Sequence, residues 1–364
     1  MAQAVNSDQA TAYTQRHVHN DYTIAWVTIL EEEVVAASLM LDQTHPGLEK
    51  IEGDDNFYKL GKVDRHNVVI MRPSRAGADA VSHATTNMAR TFRNLRFVFL
   101  IGVGGGAPQE PVGEDADDED LRLGDVVVSF QENENQSAHG YVLQYDYGKY
   151  MSTGKFEIRS YIRKPQPEII NCVRGWKVER LLGNSMLQKY IQDSLEKIKQ
   201  SGTKSLKRYR FPGWEKDRLY KVVNETIGDL ETNGSTGELV TRLARESEIP
   251  IVHYGLIASA NAVMGDGRKR DELRDEYGVM CFEMEAAGLM NDFPCIVIRG
   301  ISNYSYGSKN DDWKHWASLT AAAAAKDLLS TIQPTSIETT KTVIAILDHK
   351  IEGILNEIRK GTFQ

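Results

Sequence analysis

Apolar residues in this chain fall into short runs separated by longer segments of mixed character. Runs of four to nine apolar residues bounded by glycine or polar groups read as buried strands. Residues 22–30, 97–101, 125–130, 252–259 and 294–298 fit that description. Residues 57–63 and 67–71 read as a strand pair, and Arg72-Pro73-Ser74-Arg75-Ala76-Gly77 ends the second. Helical patterns follow at 31–37, 78–92 and 313–332, with Pro334 ending the last. Residues from about 150 to 248 read as mostly helical and charged. Strands alternating with helices imply an α/β fold, with the middle third an elaboration inside the same domain. Beyond Pro334, Ile337, Val343, Ile344, Leu347, Ile351, Ile354, Leu355 and Ile358 predict one amphipathic helix over 337–359. Such a helix suits packing back, self-association or entry into a further domain.

Two places break the separation of apolar from charged. In 281–290 an apolar run carries Glu283 and Glu285 on either side of Met284, read here as a helix start. The strand 294–298 follows and ends in Arg299-Gly300-Ile301-Ser302-Asn303. Buried charges are rare unless paired or functional, so chemistry is expected here first. The second place is Glu31-Glu32-Glu33, just after the first strand. Acids favour a helix start, which accounts for Glu31 and Glu32. Glu33, beside Val34, can instead point into a cleft at the strand's carboxyl end, where open α/β sheets bind ligands. Gly102-Val103-Gly104-Gly105-Gly106 follows strand 97–101 without the spacing of a dinucleotide or P-loop fingerprint, so a plain turn competes with a ligand loop.

Composition narrows the classes. The chain has 364 residues, a net charge of -8 and 41% hydrophobic residues, enough for a sizeable core. Its acidity argues against a general nucleic-acid binder. No apolar run reaches membrane length and the polar N-terminus lacks a signal-peptide pattern, so a cytoplasmic protein without a membrane partner is expected. Cys172, Cys281 and Cys295 lack metal-ligand spacing and read as reduced thiols, and no metal or cofactor is implied. The acidic loop 110–120 reads as solvated, as does the basic cluster Lys204, Lys207, Arg208 and Arg210. Phe211-Pro212-Gly213-Trp214 is either a loop anchored by its aromatics or a flap. His253, within its strand, reads as a core histidine.

Glu31-Glu32-Glu33-Val34, Gly102 to Gly106, Leu123-Gly124-Asp125-Val126-Val127, Phe282-Glu283-Met284-Glu285-Ala286 and Val297-Ile298-Arg299-Gly300-Ile301-Ser302 occur in that order. Together they resemble the nucleoside phosphorylase superfamily of purine nucleoside and uridine phosphorylase type. Within it they are similar to the methylthioadenosine/S-adenosylhomocysteine nucleosidase branch. The phrases 253–259 and 282–290 look more like fungal domains found at the front of larger proteins. The resemblance covers roughly residues 22–332. It implies one domain over 21–332, with a central mixed sheet flanked by helices and an elaborated insertion at 151–248. A flexible tail over 1–20 would precede that domain, and a C-terminal amphipathic helix over 333–364 would follow it.

The resemblance implies cleavage of an N-glycosidic bond through a ribosyl-cation-like transition state. It assigns the grip on the ribose hydroxyls to Glu285, sugar packing to Met284, and the orientation of an attacking water to Glu33 with Arg299 beside it. Asn261, Val263 and Met264 would line the base. Val103, Gly104, Gly105, Glu283, Ser302 and His253 would complete the substrate contacts, with Arg72 and Arg75 for an anionic group. Phosphorylases of the superfamily place an arginine just before the glycine loop, where this chain has Leu100-Ile101. With carboxylates after the first strand, hydrolysis is preferred, and Arg72 and Arg75 keep phosphorolysis open.

Adenine-releasing relatives carry an aspartic acid where this chain has Asn303, and an amide cannot deliver a proton as an acid. A 6-oxopurine preference, weak turnover and a disabled copy of an aspartate-bearing parent all fit. The similarity to the fungal domains points to an adenine nucleotide, ATP in particular, yielding adenine and ribose 5-triphosphate. Arg268, Lys269, Arg270 and the basic cluster are further candidate cations. A non-catalytic purine-nucleotide-binding module is the competing class. The resemblance also implies a homo-oligomer.

Overall fold

The computed structural model describes residues 16–109, 120–132, 140–160, 162, 164–222, 238–293, 295–306 and 311–359. The chain begins β1 (Ile24–Val27), α1 (Glu31–Leu39), β2 (Gln43–Thr44), β3 (Phe57–Val63), β4 (His66–Arg72), α2 (Ala78–Thr91) and β5 (Phe97–Gly106). It continues β6 (Val126–Ser129), β7 (Val142–Gln144), β8 (Gly148–Tyr150), β9 (Phe156–Ile158), α3 (Pro167–Leu181) and α4 (Leu187–Ser201). Then come β10 (Val252–Ser259), α5 (Gly267–Tyr277), β11 (Val279–Glu283), α6 (Ala286–Asp292), β12 (Ile296–Asn303), α7 (Lys314–Thr331), α8 (Pro334–Glu338) and α9 (Val343–Arg359).

Ten strands share one mixed sheet in the order β11-β10-β6-β12-β5-β1-β4-β3-β2, with β7 on β10. Its middle strands β4, β1, β5 and β12 are parallel and buried on both faces, which is why they read as unbroken apolar runs. The far end of β5 also pairs antiparallel with β11, Cys281 opposite Gly106 and Phe282 opposite Gly105. Strands β11, β10, β6, β12 and β5 therefore close into a ring. Closure returns the end of β11 alongside the glycines of β5 and brings Glu283 next to β12.

Helix α7 covers the sheet. Every residue from Trp316 to Leu329 is buried, as its Ala-rich, all-round apolar sequence requires of a core helix. Small residues let it approach closely: a Cβ on Gly300 would collide with the Ala317 carbonyl. Asp327 on α7 accepts from Trp176 Nε1 at 2.9 Å, Ser185 Oγ at 2.7 Å and the Met186 backbone N at 2.8 Å, docking α3 and α4. Lys326 and Lys197 donate to Met40, Leu39 and Leu41 carbonyls at the end of α1, where cations are favourable.

Several expectations are corrected. Residues 102–106 are strand, because both edges of β5 find partners there. Residues 279–283 form β11, and the helix expected over 281–290 begins only at Ala286. Residues 267–277 form a helix whose N-cap Asp266 accepts from the Arg268 and Lys269 backbone N–H groups, with Gly278 (φ 75°) ending it. The second half of 151–248, where it is described beyond α4, holds only two short 3-10 helices, Lys204–Tyr209 and Trp214–Lys216, and is otherwise without helix. Pro334 opens the short α8, as proline at a first helical turn can, so 337–359 is two helices rather than one. Within α9, Val343 and Leu347 are buried while Ile351, Ile354, Leu355 and Ile358 are exposed. The tail expected over 1–20 and the acidic loop over 110–120 lie mostly outside the described residues. Asp120 is described and is buried, paired with Arg122 at 2.6 Å. Among the described residues no helix is long and apolar enough to cross a membrane.

Candidate active site

The site is assembled from the carboxyl ends of β1, β5, β11 and β12. Strand β1 ends at Val27 and Leu30 is the N-cap of α1, so Glu33 is the third residue of the helix and faces back over the strand end. Its Oε2 accepts from the Ile29 and Leu30 backbone N–H groups at 2.8 and 2.9 Å, and its Oε1 from Val103 N at 2.8 Å. One carboxylate thus ties β1, α1 and β5 together while remaining buried. Its neighbours turn away: Glu31 is exposed, and Glu32 accepts from Lys314 at 2.9 Å.

Arg299 of β12 is only 1% exposed. Its Nη2 donates to Glu283 Oε2 and, at 3.3 Å, to Glu285 Oε2. Glu283 also accepts the backbone N–H groups of Glu285 at 3.1 Å and of Ala286 at 3.0 Å, fixing the turn into α6. A Cβ on Gly102 would collide with both Glu33 Oε1 and Arg299 Nη1. Absence of a side chain at that one position is what lets both groups reach over β5.

Two carboxylates thus contact one guanidinium, and the charge of Glu33 acts on it from nearby. Burial pushes Glu285 up from its ordinary 4.5 to about 7, with Glu283 and Glu33 adding to the rise and Arg299 opposing it. Burial disfavours the Arg299 charge, but Glu283, Glu285 and Glu33 outweigh it and hold the guanidinium firmly protonated. Burial also raises the Cys281 and Cys295 thiols, leaving them poor nucleophiles.

At the end of β12, Ser302 Oγ donates to the Gly104 carbonyl at 3.3 Å. Asn303 donates from Nδ2 to Ser302 Oγ at 3.1 Å, and its Oδ1 accepts from Ser305 N at 2.9 Å. Ser305 adopts φ 54°, a left-handed conformation that this side-chain bond to the backbone supports. Gly105 lies against this turn, and a Cβ there would strike Ser305 Oγ. With its oxygen engaged, Asn303 has one N–H left to offer a ligand.

The remaining expected residues divide. Met284 is half-buried between the two glutamates. Asn261 is held by Asp146, which accepts from its backbone N at 2.8 Å and its Nδ2 at 3.3 Å. Tyr145 donates to the Ala262 carbonyl at 3.3 Å. Asp146 and Tyr145, which fix the 261–264 loop, carry no motif and were not expected. Met264 packs on a small core with Ala107 and Phe282, whereas Val263 is 64% exposed. A cavity of about 470 Å³ is lined by 74–80, Asp55, Asn56, His83, Ala84 and Asn261. It takes in Arg75 and Asn261 of the expected set. Its wall at Ala78 packs against Gly288 of α6, so it adjoins the helix that Glu285 precedes.

Other residues lie elsewhere. Arg72 donates to the Ile29 carbonyl at 3.1 Å and stands 3.7 Å from Glu31. His253 is corrected: it sits 3.2 Å from Asp125 in a buried cluster with Arg245, at the opposite end of β10 from Ser259. Lys204, Lys207, Arg208, Arg210, Arg268 and Lys269 are exposed. Arg270 is buried and donates to the Tyr304 carbonyl at 2.6 Å, so the candidate cations do not gather. Phe211 and Trp214 pack at ring distances of 4.9–5.9 Å with Trp313 and Trp316, which makes 211–214 an anchored loop.

The sheet and its flanking helices form the nucleosidase/nucleoside phosphorylase fold. Futalosine hydrolase of Helicobacter pylori superposes with a TM-score of 0.52 at 14% identity, over 86% of this chain and 100% of that one. The 5'-methylthioadenosine/S-adenosylhomocysteine nucleosidase of Neisseria meningitidis, in complex with methylthio-immucillin-A, gives 0.51 at 14%, over 85% and 99%. At such identities the likeness is one of fold. A nucleotide-binding leucine-rich repeat (NLR)-like protein of Hyaloscypha variabilis is 37% identical over 320 residues, 87% of this chain. The chain spans 30% of that relative's length. No family model matches the sequence.

Proposed function

We propose that this chain hydrolyses the N-glycosidic bond of a purine nucleoside or nucleotide. The observation that carries the reading is the buried pairing of Glu283 and Glu285 with Arg299, with the buried Glu33 acting on the same guanidinium. The excess negative charge stabilises positive charge developing on a ribosyl ring, and in a dry site that effect is large. The same excess repels a phosphate dianion, which favours water over phosphate as nucleophile. A carboxylate has about four acceptor positions. Backbone N–H groups fill three on Glu33, leaving about one to orient that water. Glu285, at the edge of the cluster, accepts the ribose hydroxyls. Asn303 donates its remaining N–H to the departing base.

For the finer substrate, an adenine nucleotide with ATP foremost is tested against free nucleosides. Arg75 and Ser74 in the 470 Å³ cavity suit a 5′-substituent, but Asp55 and Asp79 share its wall. That balance supports a nucleoside or a singly charged substituent over a triphosphate. The amide at Asn303 supports bases that leave without being protonated there, so inosine is included.

The test is base release followed by chromatography, with ATP, AMP, adenosine, inosine and methylthioadenosine, each with and without phosphate. It is run on this chain and on Asn303→Asp. Phosphate-independent release from any of them is the expected result. Release only with phosphate replaces hydrolysis by phosphorolysis. No release by either protein, with binding retained, leaves a purine-binding module.

A further inference from the structure

Asn303 is followed at once by Tyr304, whose ring is buried and whose hydroxyl ends in an ion pair far away in sequence. Tyr304 donates to Asp217 Oδ1 and accepts from Arg242 Nη1 at 2.8 Å. Arg242 Nη2 lies 2.8 Å from Asp217 Oδ2, and both side chains are at most 6% exposed. The Arg242 guanidinium also covers the Tyr304 ring at 5.3 Å. From the other side, Arg270 of α5 donates to the Tyr304 carbonyl at 2.6 Å. The residue after Asn303 is therefore clamped at its hydroxyl by the insertion and at its carbonyl by the helix that leaves the 261–264 loop.

Burying Asp217 and Arg242 is costly, and a surface-attached insertion has no need of it. A cheaper anchor already exists in the aromatic packing of 211–214 on α7. What the ion pair adds is a fixed position for Tyr304, and with it the turn in which Asn303 Oδ1 holds Ser305 N. That turn decides which way the free N–H of Asn303 faces.

The geometry points to Asp217, Arg242 and Tyr304 as positioning residues: the insertion sets the orientation of Asn303 toward the base. This inference rests on the reading above for its effect on base release, but its structural half stands without it. Loss of the clamp lets the 303–306 turn relax, and discrimination at the base falls while the ribose grip at Glu285 is untouched.

The test is a double-mutant cycle on the full chain with Tyr304→Phe, which removes only the hydroxyl, and Asn303→Ala. Base release from inosine and adenosine is measured together with amide hydrogen exchange at Ser305. Tyr304→Phe is expected to lower kcat/KM about tenfold in the native background and to have no further effect on Asn303→Ala. Asp217→Asn should mimic it, and Arg242→Lys, which keeps the cation, should lose less than Arg242→Ala. Exchange at Ser305 should quicken about tenfold in Tyr304→Phe. Losses that multiply in the double variant would mean a merely structural hydroxyl and overturn the proposal. If the native chain releases no base, the exchange data alone judge the clamp, and unchanged exchange at Ser305 overturns it; the hydrolase reading falls if Asn303→Asp releases none either. Should Tyr304→Phe fail to fold, Asp217→Asn carries both measurements.

Discussion

Replacing Glu285 by glutamine should make the protein more stable and less functional, with a pH signature that identifies the cause. The Glu285 carboxyl is raised from 4.5 to about 7 by burial first and by Glu283 and Glu33 next, against the pull of Arg299. A displacement of about two and a half pH units, at about 1.4 kcal/mol each, makes ionisation in the folded chain about 3 kcal/mol dearer than in the unfolded one. The folded state therefore holds a proton that the unfolded state releases above about 4.5. Stability falls as pH rises from there to about 7, and above that the whole penalty is carried. Glutamine has the shape of the protonated acid and never ionises. Part of the gain is cancelled because an amide turned toward Arg299 accepts more weakly than a carboxylate. The expected result is equal stability near pH 4.5 and an advantage for Glu285→Gln of about 1–3 kcal/mol at pH 8. Urea unfolding of both proteins between pH 4.5 and 8.5 measures it, with base release followed in parallel. Two curves that run parallel across that range, or a variant weaker at pH 8, would refute the reasoning.

The same cluster supports further predictions. Gly102→Ala drives a methyl group into Glu33 and Arg299 and should cost about 1–3 kcal/mol; a native urea midpoint would contradict it. Arg299→Met leaves Glu283 and Glu285 without their buried cation. The loss should be about 3–5 kcal/mol at pH 8 and smaller at pH 5, where Glu285 is protonated. An equal loss at both pH values would show that packing, not charge, dominates. Glu33→Gln should cut base release by about 10²–10⁴, the range of a lost water-orienting base, and turnover within threefold of native would remove Glu33 from that role. Asn303→Asp should raise adenine release more than hypoxanthine release, and equal gains for both bases would argue against proton delivery at this position.

Much of this arrangement was legible in the chain because burial leaves a plain trace. The run at 252–259 is a strand over those residues, and the Ala-rich stretch after Trp313 is the helix that all-round apolarity implies. Glu283, Glu285 and Arg299 stood out as charges beside apolar runs, and they meet, while Glu33 comes close enough for its charge to act on Arg299. The glycines of 102–106 misled because glycine signals either a turn or close packing, and only the pairing of β5 with β11 settles which. Residues 279–283 are too short to separate strand from helix by periodicity. His253 is the core histidine its strand suggests, but its partner Asp125, 128 residues away, could not be read from the sequence. Asp146, Asp217 and Arg242 look like ordinary surface charges in sequence, Asp217 within the charged run Glu215-Lys216-Asp217-Arg218 and the other two beside no motif. Their burial or anchoring depends on contacts made across the fold.

The ring of strands also bears on how the chain comes to be made. β5 lies at residues 97–106, but its partners β11 and β12 are not synthesised until residues 279–303. During translation, β1, β4 and β5 can pair while the outer edge of β5 stays bare, with Phe97, Phe99 and Ile101 beside it. Such an apolar edge invites pairing with other nascent chains, and closing so long a loop is slow. The glycines of 102–106, among them the Gly102 over which Glu33 and Arg299 reach, also weaken that edge's tendency to form strand on its own. The carboxylate–arginine cluster and the protection of the sheet thus arrive together, late in assembly. Chains truncated before Ile296 should collect as aggregates rather than as partly active protein.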